Sequence, residues 1–563
     1  DRLRSRGLGD VYKRQNLMKL YFEKEWKLCA LFALVTLPLA FLAPYKSYVI
    51  QWLIDAESAS EIPHLLGVGG LIFLSVFLLE WLGRNIFARI NTSIARAMRE
   101  DLIEGTLCCD LGEFKQNTVG SYVSQITNDI TAIQNEFLTS LYNITLYGGM
   151  LVCSLIFLYR IHPLMLLIAV IMAIFPAVMP HAFARFLKKT RSDFSQENAD
   201  YVTTGKDILQ GFETLRSFGA EAEAKLRHSV AAASLSNAEL RYSKVINCNI
   251  AMTSFVGQIV FYSVLAIGIT LVFKGNISIG YLVTATNLIN FTNQPVQVIS
   301  QSVSKIIATT DIRHRLVLVR QNTHQGVSNF TESQAGNLSL QHVYFRYNNN
   351  DAYAINDINC TFLQGKKYAI MGPSGSGKST LAKVISGMYR NYEGSILYDG
   401  KELRNMSHTE STHVIETIPQ NPFIFNGTVY ENITLFSKQW TQEEVLSAAQ
   451  RSGLSDFLAK LPQGLNSELK ESNLSGGQAQ RIGIARALLR KPYILIADEP
   501  TASLDSGLAD DIERLVMSWP GTAILITHRK SQYVLDHADG VINLANGAIP
   551  VSYTHLRAHE TGA

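Results

Sequence analysis

A helix of about 20 largely apolar residues crosses the roughly 30 Å hydrocarbon core of a bilayer, because its backbone groups satisfy one another where no water is present. Six stretches of this 563-residue chain reach that length: 26–54, 62–90, 137–161, 163–183, 247–273 and 279–300. Several exceed one crossing, so these helices are expected to project beyond the membrane. The apolar residues are concentrated before about residue 310, so the chain-wide average of 47% hydrophobic and 17% charged hides two unlike parts. The first reads as a six-helix membrane bundle and the second as soluble.

Basic residues near the ends of spans are retained on the cytoplasmic side. Lys19, Lys24 and Lys27 accompany the start of the first span, Arg89, Arg96 and Arg99 the end of the second, and Arg185, Lys188, Lys189 and Arg191 the end of the fourth. The connection after the first span carries Asp55, Glu57 and Glu61 and no basic residue. Both termini are therefore expected in the cytoplasm, with short external loops and long internal excursions at 91–136 and 184–246. The excursions are rich in helix formers and free of proline, which predicts helical extensions directed towards the soluble part.

Polar residues inside a membrane need an account. Lys46 falls near the outer interface, where its side chain can reach water, and Glu80 and Arg84 are spaced to pair as i, i+4. In the sixth span Asn287, Asn290, Gln294, Gln297 and Gln301 recur at steps of three and four, on one helical face. Lipid cannot satisfy them, so the stripe either lines a water-filled cavity, the favoured reading, or bonds to other helices.

The net charge of +3 is too weak a bias for a nucleic-acid surface. The six cysteines are spread over apolar spans (Cys29, Cys153, Cys248), an internal excursion (Cys108, Cys109) and the soluble part (Cys360), a distribution that argues against a disulfide framework. Residues 1–15 and 551–563 fit neither neighbouring pattern. They resemble translated sequencing-adaptor scars and are expected to be non-native flanks.

After a polar linker at 318–336, residues 337–550 alternate short β-type runs with helices, which predicts an α/β domain with a largely parallel sheet. The run KKYAIMGPSGSGKSTLAKVI is a strand, a small-residue loop and an amphipathic helix, the context of a phosphate-binding loop. Gly372, Pro373, Ser374, Gly375, Ser376 and Gly377 let backbone N–H groups approach phosphates at a helix N-terminus. Lys378 would reach the β and γ phosphates, and Ser379, with Thr380 beside it, would bind Mg²⁺. At the end of the apolar strand YILIADEP, Asp498 is suited to the magnesium shell and Glu499 to polarising the attacking water.

The segment LSGGQAQRIGIARALL resembles the signature of ATP-binding cassette proteins, with Ser475, Gly476, Gly477 and Gln478 opening a helix. Further positions resemble that family. Tyr347 in YFRY matches the residue that stacks on adenine, Gln420 in IPQNPFIF the glutamine that senses Mg²⁺ and contacts the membrane domain, and His528 in ILITHR the switch histidine at the γ-phosphate. Asp505, in Ser503-Leu504-Asp505, matches the loop linking two sites, and GSYVSQITNDITAIQ and GFETLRSFGAE resemble segments flanking the coupling helices of family exporters. One departure is that the segment from Glu468 to Leu474 is about two residues short, leaving open which of Glu468 and Glu471 is its acidic residue.

The resemblance covers about residues 17–550, and its membrane-then-cassette order is that of family exporters. It implies a membrane domain at 16–317 followed by a nucleotide-binding domain at 337–550, each chain being a half-transporter with ATP and Mg²⁺ as cofactors. Glu499, His528, Lys378 and Gln420 would act in catalysis, Ser379, Gln420 and Asp498 at the metal, and Asn287, Asn290, Gln294 and Gln297 at the cavity. ATP hydrolysis would drive export of a lipid, peptide or amphipathic drug-like solute by alternating access. The partner would be a second half-transporter, the same or different, and the location a plasma membrane of bacterial type or an organelle membrane. Alternatives are an ATP-gated channel or regulatory subunit, a mechanical ATPase of the DNA-repair kind, which the six spans oppose, and a peptide-processing exporter.

Overall fold

The computed structural model describes residues 20–310, 312–313, 315–316, 335–347, 352–470, 474–501, 506–529 and 531–549. The expected flanks, most of the linker, Glu471 and Asp505 lie outside the described residues. The described residues divide into two compact units, one containing those up to 103 with 120–320, the other 104–119 with those from 321 onward.

The first unit is all helical. α1 (Trp26–Tyr45) contains Pro38 and Pro44, and the helix breaks at Lys46 before resuming as α2 (Tyr48–Ile54). α3 (Ile62–Leu107) runs for 46 residues. Two π-helical segments, Gln125–Asp129 and Ile133–Leu138, interrupt the helical run α5 (Val119–Ile161). The turn into α6 (Pro163–Gln210) is tight because His162 is extended, its Nδ1 accepts the Leu164 N–H, and Pro163 occupies the first helical position, where a missing N–H costs nothing. A short helix at Phe212–Phe218, α7, separates α6 from α8 (Glu221–Phe273). α9 (Ile279–Ala308) begins at Ser278, whose hydroxyl accepts the Tyr281 N–H and donates to Asp55 at 2.5 Å.

Among the described residues, four helices are long and apolar enough to cross a membrane: Trp26–Ile54, Ile62–Leu107, Val119–Ile161 and Glu221–Phe273. The expected fourth and sixth spans are the N-terminal part of α6 and most of α9. The amides of α9 lower its apolar content. Leu34, Leu37, Leu71, Phe73 and Phe77 are all at least half exposed, an outward apolar face suited to lipid. Arg84 binds Glu80 at 2.8 Å as the spacing predicted, and Lys46 lies 5.5 Å from the Phe291 ring centre.

In the second unit, Leu111 of the short helix α4 (Leu111–Phe114) packs on the cassette core, its N–H donating to the Met388 carbonyl. The sequence reading placed this segment in an internal excursion and did not distinguish it from the neighbouring helix. A parallel five-stranded sheet runs β11-β3-β10-β9-β6, formed by β3 (Lys367–Met371), β6 (Ile415–Ile418), β9 (Ile494–Asp498), β10 (Thr522–Ile526) and β11 (Gly540–Asn543). Every residue of β9 and β10 is buried, as in a sheet covered on both faces. The run LSLQHVYF, β1 (Leu338–Phe345), belongs instead to an antiparallel sheet with β2 (Ile355–Phe362), β4 (Glu393–Tyr398) and β5 (Lys401–Glu402). Leu338, Leu340, Val343 and Phe345 are buried against the core, and the alternation is broken at Gln341 and His342, both exposed, where the pairing shifts register.

Glu416, on β6, is mostly buried, its side chain 16% exposed. Its Oε1 lies 3.7 Å from Arg490 and its Oε2 has no hydrogen-bond partner. Burial raises its carboxyl to about 7 from an ordinary 4.5, opposed by Arg490 and Arg486. Between those values the folded cassette holds a proton that the unfolded chain has lost, so stability falls as pH rises through that window. The cassette of the full chain should therefore melt at a lower temperature at pH 7.5 than at pH 5.5 by this contribution, and Glu416→Gln should flatten that part of the slope. An unchanged slope in the variant would remove Glu416 as its source.

Candidate nucleotide site

The order of the parallel sheet brings separate segments together. Ile526 of β10 pairs with both Ile370 of β3 and Asp498 of β9, and Ile418 of β6 pairs with Ala497. The strands β3, β10, β9 and β6 thus end side by side, followed respectively by the Gly372 loop, His528, Glu499 and Gln420. Ligands of parallel α/β sheets bind at this carboxyl edge.

The loop after β3 turns sharply into α10 (Lys378–Ile385), with Gly375 at φ 80° and Gly377 at φ 97°. A Cβ on Gly377 would sit 2.6 Å from the Ala354 carbonyl oxygen, so only glycine fits. Lys378, buried, donates to the carbonyls of Gly372 and Pro373 at 3.0 and 2.9 Å. The Ser376 hydroxyl is buried without a hydrogen-bond partner. Left-handed glycines, a lysine curled over the loop and an unpaired hydroxyl form an anion cradle at a helix N-terminus, and they fit the phosphates of a nucleotide. Ser374 and Thr380 flank the cradle, and the Thr380 hydroxyl is 2.7 Å from the Tyr347 hydroxyl. Tyr347 is half exposed and stands nearly perpendicular to Phe345 and Tyr389, a supported ring available for stacking on a base.

Glu499 is the meeting point. It adopts φ 48°, a strained value for a non-glycine residue, with its N–H bound to the Ile526 carbonyl. Gln420 donates to Glu499 Oε2 at 3.1 Å, His528 Nδ1 lies 3.5 Å from the same oxygen, and Lys378 Nζ is 4.0 Å from Oε1. All four expected catalytic residues are therefore in one cluster. Ser379 donates to Asp498 Oδ1 at 3.0 Å, and burial raises the Asp498 carboxyl above its ordinary range while that hydrogen bond opposes the rise. A divalent cation would offset the burial of this carboxylate. Among the described residues no cluster of three His, Cys, Asp or Glu side chains could hold a metal alone, so Mg²⁺ here would need phosphate oxygens, its usual habit.

The signature segment is built differently. Ser475 caps α11 (Gly476–Arg490), accepting the Gln478 N–H while the Gln478 side chain accepts the Ser475 N–H, a capping box. Among the described residues, no hydrogen bond links 475–478 with 372–380. Glu468 lies in a short strand, β8 (Glu468–Leu469), paired with β7 (Gly427–Thr428). On α9, Asn290 and Gln294 are exposed and Asn287 and Gln297 partly so, while Leu282, Ala285, Leu288 and Ile289 form the packed face. Asn287 donates to Val283 of its own helix, and among the described residues none of these amides bonds to another helix. Two features escaped the sequence reading: the docking of Leu111, and the ion pairs of Arg529 with Asp510 and Glu513. Only the arginine next to His528 in the sequence could have signalled the second.

Replacing Tyr347 with Ala should raise the KM for ATP about ten-fold, since base–aromatic stacking contributes ~1–3 kcal/mol, with kcat little changed. Tyr347→Phe should stay near wild type. Steady-state hydrolysis checks both, and an equal loss in the two variants would point to the hydroxyl rather than the ring.

Comparison with known proteins agrees with this geometry. The family description "ABC transporter transmembrane region" matches residues 27–296, and "ABC transporter" matches 355–502. Multidrug export ATP-binding/permease proteins of Staphylococcus aureus strains COL and N315 are each 28% identical over 523 residues, covering 90% of both chains. A solved structure of a bacterial Atm1-family ABC exporter with ATP bound superposes with a TM-score of 0.79 at 23% identity, covering 94% of each chain. With a membrane region and an ATP-binding domain fused in one polypeptide, the chain belongs to the ATP-binding cassette transporter family and is an ATPase coupled to transport.

Proposed function

We propose that this chain is a half-transporter that exports an amphipathic solute, a drug-like molecule, lipid or peptide, as a dimer with two ATP sites. The observation that carries this reading is the convergence of Lys378, Gln420 and His528 on Glu499, while among the described residues the signature serine, Ser475, makes no hydrogen bond with the phosphate loop of its own chain. A site so divided suits completion by a second chain's signature. Because each catalytic position is filled, a homodimer suffices, and a heterodimer would also serve.

In this reading Lys378 leaves the loop carbonyls to bind the phosphates, Tyr347 holds adenine, and Glu499 accepts the proton of the attacking water. His528 and Gln420 hold the Glu499 carboxylate in place. Ser379, Asp498 and Gln420 would hold Mg²⁺, which would supply charge neutralisation at the phosphates. Asp505 would join the two sites. The domains run 16–317 and 337–550, with six membrane helices per chain and both termini cytoplasmic in a bacterial plasma membrane. Alternating access would present the Asn287, Asn290, Gln294 and Gln297 face to each side in turn. Among the described residues these amides make no bonds to another helix, which supports cavity lining, and the multidrug export names of the relatives support an amphipathic cargo.

The test is reconstitution in liposomes, with hydrolysis measured beside movement of labelled dyes, lipids and peptides. Glu499→Gln should lower turnover at least about 100-fold, the scale of general-base catalysis, while ATP remains trapped. Wild type that hydrolyses no ATP would rule out the homodimer.

A further inference from the structure

Glu513 lies on α12 (Ser506–Met517) and is 1% exposed, with neither carboxylate oxygen in a hydrogen bond. A carboxylate so buried needs a counter-charge. Arg529 supplies it. One guanidinium nitrogen, Nη1, is buried 3.6 Å from Glu513 Oε1, and the other, Nη2, is 2.8 Å from Asp510 Oδ1, one turn earlier on the same helix. The guanidinium thus straddles two carboxylates that helical spacing places on one face.

Arg529 directly follows His528, and its backbone N–H donates to the Thr527 hydroxyl at 3.0 Å. Two adjacent side chains therefore leave a short stretch of backbone at the end of β10. One is tied to α12 and the other reaches Glu499. We infer that Arg529 is a positioning residue for hydrolysis: its grip on Asp510 and Glu513 fixes the backbone that carries His528 and so holds the imidazole beside Glu499. This rests on the roles proposed above for His528 and Glu499. The sheet holds this backbone only as far as Thr527, whose N–H donates to the Ile370 carbonyl at 3.1 Å, and anchoring to a helix constrains the residues beyond it.

The full-length protein in liposomes is assayed for ATP hydrolysis and thermal melting as wild type, Arg529→Lys, Arg529→Met, and Arg529→Met with Glu513→Leu. Arg529→Lys keeps the charge and loses the planar fork. It should melt near wild type yet lose about ten-fold in kcat, with KM for ATP within about two-fold, because an interaction made in the transition state is lost. Arg529→Met should also melt lower. Adding Glu513→Leu removes the stranded carboxylate and should restore the melting temperature without restoring kcat. In a His528→Ala background, Arg529→Met should lower kcat less than about two-fold, since groups acting as one unit are not additive.

Recovery of kcat together with melting temperature in the double variant would overturn the inference, as would an undiminished effect in the His528→Ala background. Glu499→Gln, measured alongside, separates the two levels. Persistent hydrolysis in that variant defeats the catalytic reading itself, whereas an inactive Glu499→Gln beside a fully active Arg529→Lys defeats only the positioning role.

Discussion

The cassette depends on β10 being held between β3 and β9. All five residues of β10 are buried; all five are in parallel register with β9 and Ala523 to Ile526 with β3 as well. Parallel pairing aligns strand ends, so the loop after β3, the carboxylates after β9 and the histidine after β10 are brought to one edge by backbone bonds alone. Side-chain chemistry then operates on a scaffold in which a one-residue slip would reverse every buried face. Ile524 and Leu525 contribute to the two different hydrophobic clusters on either side of this sheet, so such a slip would exchange the two layers.

On that edge, Glu499 is kept in an unfavourable backbone conformation. The φ of 48° would cost a free residue roughly 1–2 kcal/mol, and the Ile526 carbonyl, Gln420, His528 and Lys378 offset it. Strain of this kind persists where the surroundings over-determine it. Lys378 is bonded to loop carbonyls and sits close to a carboxylate. Its charge is therefore compensated, and phosphates would replace protein oxygens rather than meet an unpaired cation.

Some of this was legible along the chain. Gly377, Lys378 and Ser379 were readable because a strand precedes them and an amphipathic helix follows. Glu80 and Arg84 were readable because i, i+4 spacing needs no tertiary knowledge. The amide face of α9 was found from periodicity, but whether it bonded to neighbours depended on what packs there, and Leu288 and Ile289 occupy the packed side instead. That β1 joins an antiparallel sheet was not readable, because a short apolar run carries no record of its partner's direction. Leu111 was missed because one leucine in a polar stretch has no pattern of its own.

Local order therefore sufficed to single out candidate positions by their chemistry: small residues and a lysine at a helix start, a carboxylate pair after an apolar strand, an aromatic ring, and apolar runs. Those properties belong to side chains and their near neighbours in sequence. Only the tertiary structure decided that Gln420 and His528 both reach Glu499, that Ser379 reaches Asp498, and that Arg529 carries an otherwise unpaired buried carboxylate. These contacts join residues up to 119 positions apart. Strand order and helix packing set such distances, and a chain's sequence expresses them only through the sum of its buried surfaces.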